Sequence, residues 1–84
     1  MDAVFEALAD EARRQLLDRL HAKGGQTLRE LCEGLDISRQ GATKHLAIPA
    51  DANLVATQKR GRQKQHCLNP VPINDIAERW VKKF

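Results

Sequence analysis

The sequence predicts a mainly α-helical domain with one small β-hairpin (α+β), in the order α-α-α-α-β-β-α. Apolar residues recur at helical spacing over residues 3–46 and again over 73–84. Between these regions, residues 54–68 alternate with a period of two around a glycine, which is typical of a hairpin. Because there are no repeats, low-complexity segments or linkers, we expect residues 1–84 to form a single domain.

Length and composition argue against several classes of protein. A chain of 84 residues buries only a modest fraction of its surface, and it shows no carboxylate pair, activated nucleophile or phosphate loop at a recognisable spacing. We therefore expect neither an enzyme nor a cofactor. The two cysteines, Cys32 and Cys67, do not indicate a disulfide framework. With no signal-like N-terminus and no apolar run near ~20 residues, we expect a cytoplasmic protein that does not contact membranes.

Apolar spacing predicts the first two helices, and a capping residue marks the start of the second. The first is expected around residues 3–8, with its apolar side chains on one side. The second begins after Asp10, whose carboxylate can cap it, and ends at the glycine pair 24–25. Its apolar residues at helical spacing are Ala12, Leu16, Leu17 and Leu20.

A helix-turn-helix is predicted over residues 27–48. Thr27 and Glu30 form the pattern of a capping box, and Ser38 can cap the following helix. Between them, Asp36 occupies the turn, where we expect a left-handed backbone. The side chains expected to point inward are Leu28, Leu31, Cys32, Leu35, Ala42 and Leu46.

The second helix of this pair and the hairpin form a candidate site for duplex DNA. A helix fits the major groove, and a cationic hairpin can lie on the neighbouring phosphates. The candidate contacts on the helix are Ser38, Arg39, Gln40, Thr43, Lys44 and His45. Those on the hairpin, the predicted wing over residues 54–68, are Lys59, Arg60, Arg62 and Lys64. His45 lies nearer the packing side of its helix, so a structural role for it stays open.

Charge is concentrated on the same segment. The whole chain carries a net charge of only +3, but residues 37–74 contain six basic side chains and one acidic side chain. Residues 1–36 contain five basic and eight acidic side chains. A solvated charged surface would explain a basic segment in general, but its position beside the helix pair favours a polyanionic partner.

The last helix is expected over residues 72–84, with prolines at its start. Its apolar stripe either covers the core of the same chain or pairs with a second copy. For a homodimer, the candidate interface residues are Val4, Phe5, Ile73, Ile76, Trp80 and Phe84.

Four segments of the chain resemble the ArsR/SmtB family of transcriptional repressors: VFEALADEARRQLLDRL, TLRELCEGLDIS, TKHL and NLVATQKRGRQKQHCLNP. The most specific parts are ALAD-x-x-R-R before the second helix and KHL in the recognition helix. The resemblance covers nearly the whole chain and implies a winged helix-turn-helix fold. It also implies a homodimer, joined through the first and last helices, that binds an imperfect palindromic operator until an effector releases it. Neither the operator nor the effector follows from the sequence, nor whether transcription is repressed or activated.

The chain departs from the family at its metal sites. Many relatives carry a Cys-x-Cys pair on the third helix, but Gly34 stands where the second cysteine would follow Cys32. Residues 69–84 contain no histidine for the other common site, and adjacent strand residues such as His66 and Cys67 point to opposite faces. We therefore expect a metal-independent member in which His21 and these other side chains serve packing or lie on the surface.

Two further departures affect the DNA-binding segment. Pro49 stands where relatives usually continue the helix, so we expect the recognition helix to end near Ile48 or to kink there. Gln65 and His66 replace an aromatic pair, which should weaken packing of the hairpin on the core. These departures motivate an alternative function, a winged-helix module for protein interaction or dimerisation with weak or lost DNA binding.

Overall fold

The computed structural model describes residues 2–84, and its elements follow the expected order. The helices are α1 (Asp2–Leu8), α2 (Glu11–Ala22), α3 (Leu28–Cys32), α4 (Arg39–Asp51) and α5 (Val71–Arg79), and the hairpin strands are β1 (Val55–Arg60) and β2 (Gln63–Leu68). The mainly helical winged helix-turn-helix architecture is thus confirmed. Leucines from two helices, α2 and α3, and from the position before β1 form the centre of the core: Leu16, Leu20, Leu31 and Leu54.

The junction between α1 and α2 satisfies the backbone groups of both helix ends. Asp10 Oδ1 accepts from the backbone N–H two residues on at 2.8 Å, which confirms the expected cap of α2. Arg13 Nη2 donates to the carbonyl of Glu6 at 2.8 Å. Arg14 Nη1 donates to the carbonyl of Leu8 at 2.7 Å. The two arginines therefore cap the end of α1, which gives the ALAD-x-x-R-R pattern a physical cause.

The caps of the helix-turn-helix are those expected, but its turn is not. The N–H of Glu30 donates to Thr27 Oγ1, and the N–H of Thr27 donates to Glu30 Oε1, so the capping box is confirmed. Ser38 Oγ caps α4 through the N–H three residues on. The expected left-handed backbone at Asp36 is wrong. Gly34 adopts it instead, with φ of 79°, because glycine does so without a steric penalty.

Helix α4 continues through Pro49 to Asp51, so the expected end near residue 48 is wrong. The other expected outcome, a kink at this point, stays a prediction. Proline removes one N–H donor, but the Pro49 ring is fully buried, and its apolar contacts offset that loss. The helix ends instead at a Schellman motif centred on Asn53, whose φ is 61°. The N–H of Leu54 donates to the Pro49 carbonyl at 2.9 Å, and the N–H of Asn53 donates to the Ala50 carbonyl at 3.0 Å.

The hairpin is buried at its base and exposed at its tip. Strands β1 and β2 pair antiparallel, with Arg60 opposite Gln63 across a turn in which Gly61 has φ of 61°. Val55 at the start of β1 is buried, and every later residue of that strand is exposed. Two strands alone are marginally stable, so the hairpin depends on its attachment at the base.

Gln26 provides that attachment. Its backbone pairs with the backbone of His66 in an isolated β-bridge, with N···O distances of 2.7 and 3.1 Å. Its side-chain Nε2 donates to the carbonyls of Arg19 and Lys23 at the end of α2, both at 2.6 Å. Gln26 is only 5% exposed, and it joins β2 to α2. This contact links residues distant in sequence and was not expected from it.

The C-terminal segment is shorter as a helix than expected. Helix α5 ends at Arg79 rather than continuing to residue 84, and a 3-10 turn follows over Val81–Lys83. Beyond the helix, the rings of Trp80 and Phe84 meet edge to face, with centroids 5.4 Å apart. Trp80 lies between the two helical segments, outside the core.

Replacing Gln26 by alanine is expected to destabilise the fold. The substitution removes two part-buried hydrogen bonds made by a buried side chain and should lower the free energy of unfolding by about 2 kcal/mol. Urea denaturation followed by circular dichroism measures this change. Gln15→Ala, at an exposed position of α2, is the matched control and should change stability little. Equal stability of the two variants would contradict the role of Gln26.

Candidate nucleic-acid interface

Helix α4 presents a polar face to solvent. Ala42 and Leu46 are buried, whereas the expected contact residues of this face are exposed: Arg39, Gln40, Thr43 and Lys44. Ser38 is also exposed, at the N-cap. Thr43 Oγ1 donates to the carbonyl of Arg39 at 2.8 Å, which leaves the hydroxyl oxygen able to accept from a ligand. The face therefore offers donors, acceptors and positive charge together.

His45 lies apart from this polar face. Its side chain is half-buried, and its Nδ1 lies 3.9 Å from Asp10 Oδ1 at the cap of α2. The histidine thus packs at the junction of α2 and α4. A contact between His45 and DNA stays a prediction.

The four basic residues expected on the wing all lie on its exposed part: Lys59, Arg60, Arg62 and Lys64. Lys59 pairs directly with Lys64 across the two strands. Like charges at opposite positions destabilise a sheet, and a bound anion would relieve their repulsion. The hairpin is therefore arranged to receive negative charge.

A groove of about 770 Å³ separates the wing from α3 and α4. Arg39 and Thr43 line it from the α4 side, and Arg62 and Lys64 line it from the hairpin. The structure thus brings the two candidate surfaces to the two sides of one groove. Arg29 of α3 also lines it, and this residue was not among the predicted contacts.

His66 lies on the wall of the same groove. Burial, and to a smaller extent the charge of Lys64, lowers the pKa of the His66 imidazole. Its Nδ1 lies 3.3 Å from Thr57 Oγ1 on the opposite strand. Because the neutral form is favoured, this histidine adds no charge to the groove at neutral pH.

Comparisons with known proteins agree with this geometry. A family model described as a helix-turn-helix domain matches residues 8–58. The transcriptional repressor SdpR of Bacillus subtilis is 32% identical over 85 residues, covering 100% of this chain and 91% of its own. An uncharacterized HTH-type transcriptional regulator of the same species, YuzN, is 34% identical over 87 residues, covering 96% of this chain and 95% of its own.

A solved structure identifies the family more closely. An ArsR-like transcriptional regulator from Rhodococcus sp. RHA1 superimposes with a TM-score of 0.88 at 31% identity, covering 96% of this chain and 73% of that one. The chain belongs to the ArsR family of helix-turn-helix transcriptional regulators. ArsR-family members are DNA-binding regulators of transcription and not enzymes. Family membership, which the sequence motifs predicted, is therefore confirmed.

Not all residues expected at the dimer interface of an ArsR-type protein are available to a partner. Val4 and Ile76 are buried within the chain's own core, and Ile73 is half-buried. The three aromatic residues of the set remain exposed, with exposed fractions of 45% for Phe5, 53% for Trp80 and 87% for Phe84. These three rings therefore remain accessible to a partner.

The other sequence expectations concern metals and membranes. Over residues 2–84, the structure places no three His, Cys, Asp or Glu side chains together in an arrangement that could hold a metal ion. Cys32 and Cys67 are both half-buried free thiols. Within the same part of the chain, none of the helices has the length and apolar character required to cross a bilayer.

Hydrogen bonds in the folded state stabilise the ionised carboxylates that cap α2 and α3. The backbone N–H of Arg13 is the largest cause that lowers the pKa of Asp10. The backbone N–H and then the hydroxyl of Thr27 lower the pKa of Glu30. In both cases hydrogen bonds favour the ionised form.

These lowered pKa values predict a loss of stability in acid. A carboxyl with a lower pKa in the folded state contributes stability that is fully present above its unfolded value, about pH 4, and is lost as the pH falls through the folded value. The double variant Asp10→Asn/Glu30→Gln should therefore lose less stability than the wild type between pH 5 and pH 3, as measured by urea denaturation at each pH. Asp18→Asn, in the exposed part of α2, is the control. Parallel pH profiles for wild type and double variant would contradict the assignment.

Proposed function

We propose that the chain is a homodimeric repressor that binds a specific, imperfectly palindromic site on double-stranded DNA. The observation that carries the proposal is the pairing of a polar helix face with a cationic hairpin across one groove. Residues 37–68 contain a single acidic side chain, Asp51, so little negative charge opposes a phosphate backbone. This role places the protein in the cytoplasm, as the sequence led us to expect.

The two surfaces would have different tasks. Helix α4 enters the major groove, where the amide of Gln40 can form paired hydrogen bonds with adenine and Arg39 can contact guanine or a phosphate. Thr43 and Lys44 add contacts beside them. The basic residues of the wing hold phosphates or reach the minor groove, which contributes affinity with little sequence information.

We also propose that this regulator does not sense metal through the cysteine pair found in relatives. Gly34, at the position of the second cysteine, has φ of 79°, a backbone conformation that residues with a side chain rarely adopt. A Cβ there would lie 3.4 Å from Arg19 Nη1, and Arg19 Nη2 is held by the carbonyl of Glu30 at 3.1 Å. The guanidinium therefore lies beside the position of the missing second ligand, where its positive charge repels a metal cation.

The proposal of a homodimer is supported by apolar surface on the first helix and on the C-terminal segment. Besides the exposed rings of Phe5, Trp80 and Phe84, Val71 and Val81 are each more than half exposed, at 56% and 57%. A domain of this size gains from covering such a surface with a second copy. The two recognition helices would then lie about one DNA turn apart, ~34–36 Å.

Binding to DNA should be strongly electrostatic and should depend on the wing. Fluorescence anisotropy with a labelled duplex of mixed sequence measures affinity as a function of salt. Six basic residues on α4 and the wing are proposed to contact DNA. The logarithm of the association constant should therefore fall with log[salt] at a slope of about −5 per protomer. The double variant Arg60→Ala/Arg62→Ala should bind more weakly, and its slope should be less steep by about 2.

The matched control for the wing is Arg79→Ala, which removes one exposed positive charge at the end of α5. It should leave both affinity and slope nearly unchanged. A salt-independent affinity in the wild type, or a wing double variant that binds like the control, would contradict the proposed function. Either result would favour the alternative, a winged-helix module that binds protein.

Self-association should depend on the exposed aromatic end. Sedimentation velocity at micromolar concentration should show a dimer for the wild type and a monomer for Trp80→Glu, because a buried unpaired charge is strongly unfavourable at an apolar interface. Gln15→Glu adds the same charge to the exposed face of α2 and should remain dimeric. A monomeric wild type would overturn the proposed dimer.

A further inference from the structure

The groove between the wing and the helix pair has an apolar floor. Leu28 of α3, Leu46 and Ala50 of α4, and Val55 of β1 all line it. Its volume of about 770 Å³ lies within the range of small-molecule sites. A phosphodiester backbone presents mainly charged oxygens, so it complements basic side chains better than it complements this floor.

The rim of the same groove is cationic. Arg29 stands on the α3 side, Arg39 at the start of α4, and Arg62 and Lys64 on the hairpin. Among residues 2–84, no aspartate or glutamate lines the groove. The charges at the rim select an anion, and the floor selects an apolar body, so the two features together fit a molecule that carries both.

We propose that the groove binds a small amphipathic carboxylate, with its hydrocarbon chain on the apolar floor and its carboxylate at the arginine rim. Arginine suits this task because its planar guanidinium can donate two parallel hydrogen bonds to a carboxylate. Leu46 lines the floor and Arg29 lies at the rim, so the two halves of the ligand meet different side chains. The site is separate from the exposed aromatic end of the chain.

Ligand and DNA should exclude each other, a consequence that rests on the proposed function. Arg39, Arg62 and Lys64 line the groove and are also proposed contacts to DNA. A bound carboxylate uses these charges and fills the space between wing and helix. By reciprocity, any loss of DNA affinity caused by the ligand must equal the loss of ligand affinity caused by DNA.

Decanoate, used below its micellar concentration, is the probe for the site. Titration of methyl-labelled full-length protein, followed by NMR without DNA, should shift the signals of Leu28, Leu46 and Val55. Signals of Val71 and Val81, at the exposed apolar end, should stay in place. Absence of any shift, or shifts confined to the apolar end, would overturn the proposal.

Variants separate the floor from the rim. Ala50→Trp fills the floor from an exposed position and should weaken decanoate binding at least about tenfold. Arg29→Gln removes a rim charge and should weaken it about two- to fivefold. Decanol, which lacks the charge, should bind more weakly than decanoate. Ala22→Trp and Arg79→Gln, outside the groove, are the matched controls. Wild-type affinity in both groove variants, each shown to be folded by circular dichroism, would refute the site.

A last measurement tests the competition. Saturating decanoate should weaken binding of the wild type to the mixed-sequence duplex, and Ala50→Trp should be resistant to this effect. Decanoate binding that leaves DNA affinity unchanged would overturn the mutual exclusion. A protein that binds decanoate but no DNA would contradict the proposed function and leave the groove site supported, so the two failures are distinguishable.

Discussion

The backbone pairing of Gln26 with His66 is the contact on which the proposed DNA-facing side of this molecule depends. A two-stranded hairpin is marginally stable alone, and here only its base is buried. Gln26 gives the base a third paired segment, and its side chain fixes that segment to the end of α2. The buried side chain of Gln26, which lies at the other end of the hairpin, therefore sets the position of the basic tip relative to α4.

This anchoring explains how the hairpin tolerates its own charge. Lys59 and Lys64 face each other across the strands, which weakens the sheet where it is exposed. The stabilising contacts, the burial of Val55 and the bridge to His66, lie nearer the base of the hairpin, so the lysine repulsion is strongest where the hairpin contributes least to the fold. Separating an apolar base from a cationic tip gives one small element both stability and affinity for an anion.

Features set by local interactions could be predicted from the sequence, and features set by distant ones could not. The caps at Asp10, Thr27 and Ser38 join residues two or three positions apart, and all three are confirmed. The expected end of α4 at Pro49 is wrong because burial of the ring in the core outweighs a local rule about proline. The groove and the role of Gln26 depend on contacts between separate elements, so no pattern in the sequence indicated them.

Selection of bound DNA from a random pool tests the central claim most directly, because it reads binding, symmetry and base preference together. The account predicts enrichment of an inverted repeat with half-sites about one turn of DNA apart. It also predicts that Gln40→Ala relaxes the preference at one base pair of each half-site, by about 1–3 kcal/mol. A pool that yields no enriched motif, or one that is identical for wild type and Gln40→Ala, would contradict the assignment of α4 as the helix that reads DNA.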